Sequence, residues 1–179
     1  IIFIFSICLV FLPGCASAQP RKSSSRTSPA QLPPFHAIDA QRLREGGKLL
    51  IVPFSAGPGV TASDELDRIA LRIVQGMADG LQEAGAPFEV LSAADAASAE
   101  LIIQGRIVRW TAAERSGSWF FKKRRQSISV EGKIMDRTSG EPLLFFVFEK
   151  SASGMAQEDL AVVAGRDLAS GILTAIGLE

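Results

Sequence analysis

Hydrophobic positions follow regular periods between residues 46 and 179, whereas residues 16–34 show no period. Residues 48–54 (KLLIVPF) form a nearly continuous apolar run, which is typical of a strand buried on both faces. Residues 126–136 alternate instead, which indicates a strand with one solvated face. One face of this strand would carry Ile128, Val130, Gly132 and Ile134, and the other would carry Ser127, Ser129, Glu131 and Lys133. Further strands are predicted over residues 88–91, 101–111 and 143–149.

Two longer segments repeat their apolar residues at helical spacing. The first begins after residues 61–64 (TASD), which resemble a capping box, and ends near Gly85. The second covers residues 157–176, where Gly165 and Gly171 would allow close approach to a sheet. Residues 93–99 predict a short helix or turn. The element order β-α-β-(α)-β-β-β-α predicts an α+β fold, an α/β sandwich with two main helices on a mixed sheet of about five strands.

The first twelve residues are mostly apolar and carry no charge. A membrane span needs roughly 20 such residues, so this shorter run is typical of the hydrophobic region of a secretory signal. Because the chain begins at Ile1, with neither a Met nor a basic residue before the run, we expect this signal to be truncated at its start.

Leu12, Pro13, Gly14 and Cys15 follow the apolar run and resemble the lipobox of bacterial lipoproteins. The resemblance implies that residues 1–14 are a signal peptide and that Cys15 is acylated, with chains such as palmitate. Because the next residue is Ala and not Asp, it also implies delivery to the outer membrane, with the folded domain facing the periplasm. A plain secretory signal, or a buried strand with an incidental Cys, is the alternative.

Residues 15–45 are predicted to be the lipidated Cys followed by a flexible tether. Ser, Pro, Ala and Gln dominate the stretch from 16 to 34, and such a composition cannot bury enough apolar surface to fold. The chain's single His, His36, falls in this segment, where it is expected to be incidental. Residues 46–179 are predicted to form the globular domain, which is long enough to bury a real core.

Charge is balanced over the whole chain but is unevenly distributed. Residues 101–140 carry nine basic and three acidic residues, and four of these cations are consecutive in the predicted loop between two long strands. Aromatic residues precede the cations, and this combination is typical of sites that bind anionic or stacked surfaces. The predicted partner-binding residues are Trp119, Phe120, Phe121, Lys122, Lys123, Arg124 and Arg125. Alternatively, the aromatic side chains cap the core while the cations remain solvated.

Three short motifs in this order carry a family resemblance. They are LLIVPF at residues 49–54, AELIIQGRI at 99–107 and MDRTSGE at 135–141, before a closing helix. The series is similar to bacterial envelope lipoprotein domains, which include the penicillin-binding-protein activator lipoproteins, the amino-terminal domain of the Tol-Pal translocation protein and the curli-secretion lipoproteins. The resemblance implies a periplasmic protein-binding adaptor, activator or assembly module. It does not imply an enzyme.

Composition argues against most catalytic sites and metal sites. One His and two Cys are too few for a Cys/His zinc cage or a His-based catalytic triad. We therefore predict no catalytic residues, no metal, no cofactor and no small-molecule substrate. The predicted compartment argues against nucleic acid as a partner. We expect the partners to be the membrane, through the lipid, and an envelope protein.

Two alternative functions stay open. One is a subunit of an outer-membrane secretion or assembly complex. The other is a carboxylate-dependent enzyme that acts on envelope polymers, which would need two acids in one cleft. The candidate acids are Asp64, Glu114, Glu131 and Asp136.

Overall fold

The apolar run after Gly46 lies inside a seven-stranded mixed sheet in the computed structural model, which describes residues 34–111 and 125–178. In chain order the elements are β1 (Phe35–Ala37), α1 (Ala40–Glu45), β2 (Gly47–Ile51), β3 (Ser55–Ala56), α2 (Asp64–Glu83), β4 (Phe88–Leu91), a 3₁₀-helix (Ala93–Ser98), β5 (Leu101–Thr111), β6 (Arg125–Asp136), β7 (Pro142–Ser153) and α3 (Gln157–Ile176). The predicted α+β fold class is confirmed, with β1, α1 and β3 as additions to the predicted order.

The strands lie in the order β1-β7-β6-β5-β2-β4. Strands β2 and β4 run parallel to each other, β2 is also parallel to β5, and β5, β6, β7 and β1 are successively antiparallel. The short strand β3 pairs with β5 further along the same ladder that β2 uses. Pro53 lies between β2 and β3, where it interrupts the pairing, as expected of a residue without an N–H.

Both long helices bury an apolar face. Ser63 caps α2, since its side chain accepts a hydrogen bond from the N–H of Leu66 at 3.2 Å. The residues at helical spacing that the sequence places on the inner face are buried, among them Leu66, Ile69, Ile73, Met77 and Leu81. On β6 the predicted inner residues Ile128, Val130 and Ile134 are buried as well. One core cluster joins these helices to the sheet.

Glycine lets α2 and α3 approach each other closely. A Cβ atom at Gly76 would lie 2.1 Å from the carbonyl oxygen of Val162, and one at Gly165 would lie 2.2 Å from that of Ile73. The sequence predicted that Gly165 approaches a sheet, and this is wrong, because its neighbour is the other helix. Gly171 does lie against an element of the sheet, because its position meets the ring of Phe35 in β1.

The assignment of residues 35–45 to the tether is corrected by the structure. Phe35 stacks near Phe146 at 6.5 Å between ring centroids, and Leu43 of α1 is fully buried. Asp39 caps α1, since its carboxylate accepts a hydrogen bond from the N–H of Arg42 at 2.9 Å. The packing partners of the segment lie mostly in distant parts of the chain, so it shows no local period. The signal peptide, Cys15 and residues 16–33 lie outside the described residues and stay predictions.

Candidate functional site

The sheet has an outer face, opposite the buried side chains of β5, β6 and β7. Strand alternation places Gln104 and Arg106, Glu131 and Lys133, and Phe145 and Val147 on this face, two from each strand. The register joins them into two rows, with Gln104 beside Lys133 and Phe145 in one row and Arg106 beside Glu131 and Val147 in the other. Three adjacent strands therefore contribute to one surface.

A groove of about 780 Å³ runs across this face. We call it the sheet groove. Its lining consists of Val52, Pro53, Ser55, Gln104, Gly105, Arg106, Glu131, Gly132, Lys133, Phe145, Phe146 and Val147. The volume lies within the range of ~300–1,000 Å³ that is usual for ligand sites. The groove is thus large enough to hold a short peptide segment or a small molecule.

Irregular pairing occurs on both sides of the sheet groove. The register of β5 and β6 shifts between Ile107 and Arg109, and that of β6 and β7 shifts between Ile134 and Met135. Such irregularities bend strands and are common next to binding sites. Gly105 pairs with Gly132 at a position between the two register shifts. A Cβ atom at either glycine would meet the ring of a core Phe. The missing side chains therefore let two aromatic rings pack directly beneath the groove.

Apolar side chains in the groove are exposed although most of the large apolar residues that the structure describes are buried. The exposed fractions are 36% for Val52, 42% for Phe145 and 55% for Val147. Single exposed apolar residues are common on protein surfaces, but three that line one groove form a patch, and patches are typical of binding surfaces. The sheet groove is therefore the candidate functional site.

The groove has one unpaired cation among the described residues. Arg106 and Glu131 form a close ion pair with each other, so their charges offset. Lys133 makes no ion pair or hydrogen bond to another described side chain. Arg109 and Glu149 form a further pair on the same face at 3.8 Å, outside the groove lining. The lining therefore carries a net charge of one positive unit, from two cations and one anion.

Most of the site residues predicted from the sequence lie outside the described residues. These are Cys15, Trp119, Phe120, Phe121, Lys122, Lys123 and Arg124, which stay predictions. Arg125 is described, and it is the exposed first residue of β6, opposite Ser153. Sequence analysis missed the sheet groove. A signal for it was present in the segment LLFFVFE, whose apolar residues occupy both faces of a strand although only one face packs against helices.

An enzyme acting through carboxylates would need two acids in one cleft, but the described candidate acids each lie in a different place. Glu131 pairs with Arg106, Asp136 pairs with Arg42 at 3.4 Å, and Asp64 begins α2. Only Glu131 of these three lines the sheet groove. Glu114 lies outside the described residues. Within residues 34–111 and 125–178, no group of three His, Cys, Asp or Glu side chains is arranged to hold a metal ion.

A polar cluster around Asp136 fastens α1 to the turn between β6 and β7. One carboxylate oxygen of Asp136 accepts hydrogen bonds from the N–H groups of Thr138 and Ser139, at 2.8 and 3.0 Å. Arg42 also approaches Glu100 at 3.8 Å. The N–H of Ser139 lowers the pKa of Asp136 most, and the N–H of Thr138 and the Arg42 guanidinium lower it further, against an opposing effect of burial. The cluster therefore stabilises the ionised carboxylate.

We expect Asp136→Asn to lower the melting temperature at pH 7. A carboxyl whose pKa is lowered by folding stabilises the protein above its unfolded-state pKa, and this contribution is lost as the pH falls through the folded-state pKa. The difference between Asp136→Asn and the parent should therefore shrink as the pH falls below about 4. Thermal unfolding followed by circular dichroism from pH 2 to 7 measures it. Glu89→Gln on β4 serves as the control, and an equal pH dependence in both variants would contradict the assignment.

Comparison with known proteins gives structural matches only. No protein-family model matches the chain, and no curated protein matches it. None of the helices within the described residues has the length and apolarity needed to cross a membrane.

Three similar structures from bacteria illustrate the likeness. A dodecamer of a PelC point variant from Paraburkholderia phytofirmans has a TM-score of 0.50 and 14% identity, covering 75% of this chain and 91% of that chain. A second PelC dodecamer structure from the same organism has a TM-score of 0.50 and 12% identity, covering 79% and 95%. Lipoprotein GNA1162 from Neisseria meningitidis matches more weakly, with a TM-score of 0.43 and 14% identity, covering 74% and 99%. The two PelC matches show that this chain shares the fold of a PelC subunit. Because the identities are low, they show the fold alone.

Proposed function

We propose that this protein is a lipid-anchored lipoprotein of the bacterial envelope, whose periplasmic domain binds another protein through the sheet groove. The observation that carries the proposal is the exposure of Val52, Phe145 and Val147 in one groove on the sheet. Sites built on paired strands hold their side chains in fixed positions, and this reduces the entropy lost on binding.

The anchor is supported by the sequence. The apolar run before Cys15 and the small residue Gly14 match a lipobox, and the resemblance implies acylation at the Cys. Each buried CH₂ of an acyl chain contributes about 0.8 kcal/mol to membrane binding, so two or more chains give stable attachment. The proposed location is the outer membrane, because Ala16 and not Asp follows the Cys.

A binding role agrees better with the groove than a catalytic role. Its only described acid, Glu131, is neutralised by Arg106, and the groove contains no His, Cys or second carboxylate among its lining residues. General acid–base catalysis on a polymer would need a second titratable group within reach of the same bond. The apolar side chains, in contrast, are of the kind that anchor protein partners. The partner-binding residues predicted from the sequence, at positions 119–125, are proposed as a second contact for the same partner.

A second candidate function is supported by a different observation. The two similar PelC structures are dodecamers, so a subunit of an oligomeric secretion or assembly complex is the alternative for this chain. In that case the partner at the groove would be another copy of the chain. Native mass spectrometry of the detergent-solubilised protein tests this alternative, which predicts a large homo-oligomer.

Photo-crosslinking in intact cells tests the proposed function. A photoreactive amino acid at Val147 should trap a defined envelope protein, whereas the same amino acid at Leu71 should not. Leu71 is the matched control, since it is 56% exposed compared with 55% for Val147 but lies on α2. In a Cys15→Ser background the protein should leave the membrane fraction. Equal crosslinking from both positions would contradict the groove, and recovery of the parent protein in the soluble periplasm would contradict the anchor.

A further inference from the structure

We propose that the sheet groove takes an extended segment of another protein that presents apolar side chains and a carboxylate on one face. This inference rests on the proposed function and adds the chemistry of the partner to it. Three features of the described residues carry it: the spacing of the apolar residues, the unpaired cation, and the polar groups of the groove floor.

The apolar spacing matches an extended chain. Phe145 and Val147 lie two residues apart on one face of β7, and successive residues of a strand advance by ~3.3 Å. An extended peptide has the same repeat, so its alternate side chains can lie over these two residues. Val52 and Pro53 close the opposite side of the groove.

The charge of the groove selects a further residue on the same face of the peptide. Lys133 lies beside Phe145 on the neighbouring strand, and its ammonium group makes no ion pair or hydrogen bond with a described residue. Arg106 and Glu131 already offset each other. A carboxylate on the same face of the peptide as these apolar side chains would therefore meet an unpaired ammonium group, while a cation there would meet repulsion.

The same charge disfavours the chain's own remaining segments as occupants. Residues 16–34 contain Arg21, Lys22 and Arg26 and no acid, and residues 112–124 contain four cations and one acid. Both segments would bring positive charge to Lys133. Neither segment has a net negative charge.

The floor favours a peptide over an acyl chain. The ion pair of Arg106 with Glu131 crosses the groove, and the amide of Gln104 donates only to the weak acceptor sulfur of Met135, at 2.9 Å. An acyl chain laid over these groups would remove them from water without offering hydrogen bonds, and this is costly. A peptide backbone offers both donors and acceptors to Gln104.

Isothermal titration calorimetry on the full chain in lipid nanodiscs tests the inference with three probe peptides. All are acetylated and amidated octapeptides with terminal Ser residues. In the first, one Asp and two Phe occupy successive alternate positions with Ser between them; in the second, Lys replaces the Asp; in the third, Ala replaces each Phe. The variant is Lys133→Glu, and the matched control is Lys48→Glu, which lies on β2 outside the groove lining.

We expect the Phe-Asp peptide to bind the parent about tenfold more tightly than either of the other two. Lys133→Glu should reverse the preference in favour of the Phe-Lys peptide, while Lys48→Glu should behave as the parent does. Equal binding of the Asp and Lys peptides, or an unchanged preference in Lys133→Glu, would overturn the inference.

The crosslinking experiment distinguishes this failure from failure of the proposed function. If Val147 traps a partner but Lys133→Glu traps it equally well, the groove binds a protein and the proposed chemistry is wrong. If Lys133→Glu instead converts an oligomer of the chain to monomers in native mass spectrometry, the occupant is a second copy and the inference is overturned. If no peptide binds and Val147 traps nothing, both proposals fail.

Discussion

Replacing Phe146 with Ala is expected to lower the free energy of unfolding by about 3–5 kcal/mol, whereas replacing its neighbour Phe145 should change it by less than about 1 kcal/mol. Phe146 is 2% exposed, and its ring lies 6.2 Å from that of Phe54 and 6.5 Å from that of Phe35, between centroids. Its loss leaves a cavity beneath the paired glycines of β5 and β6. Phe145 points to the outer face and loses little on truncation.

Urea unfolding of both variants measures the difference, and each variant is the control for the other. Phe145→Ala should weaken partner crosslinking from Val147 at nearly unchanged stability, because its ring belongs to the groove wall. Similar losses of stability in the two variants would mean that the faces of β7 are assigned wrongly.

Replacing Gly165 with Ala is expected to lower the free energy of unfolding by about 2–3 kcal/mol. In an isolated helix, Ala is more favourable than Gly by up to ~1 kcal/mol. Helix propensity alone therefore predicts that Gly165→Ala raises the free energy of unfolding. The added Cβ, however, would lie 2.2 Å from the carbonyl oxygen of Ile73, which is backbone and cannot rotate away. The two helices must separate, and overpacking of this kind costs more than the helix propensity gains.

Gly80→Ala is the matched control for this effect. It lies in α2, and its added Cβ would lie 3.1 Å from both the Ala169 methyl and the Cα of Arg166, so that the helices need to give by only a few tenths of an ångström. We expect its stability to stay within about 1 kcal/mol of the parent. Denaturant unfolding of both variants measures the contrast. A Gly165→Ala variant as stable as the parent would contradict the close helix crossing.

Long periodic segments were predictable from the sequence because their pattern is local. The helical spacing of Leu66, Ile69 and Ile73 and the alternation of β6 each depend on neighbours within a few residues, so the buried faces agree with the structure. The fold class followed from the order of these segments. The candidate groove did not, since its side chains come from strands that are far apart in sequence.

Strand β7 illustrates why the groove was missed. Its sequence LLFFVFE is apolar at successive positions, so alternation cannot distinguish the face of Phe146 from that of Phe145. Their difference in burial arises only when β6 and β1 pair on either side and the helices cover one face. A continuous apolar run next to a clearly alternating strand is the one signal that indicated an uncovered apolar surface.

The sequence by itself determined the two long helices, the main strands, the inner face of β6 and the candidate lipidation site, because each depends on residues close together in the chain. The tertiary structure alone decided that residues 35–45 belong to the fold, since Phe35 needs Phe146 and Gly171, more than a hundred positions away. It also decided which glycines bring α2 and α3 together and which apolar side chains remain exposed. Burial depends on what lies across a contact, and a local pattern contains no information about a distant partner.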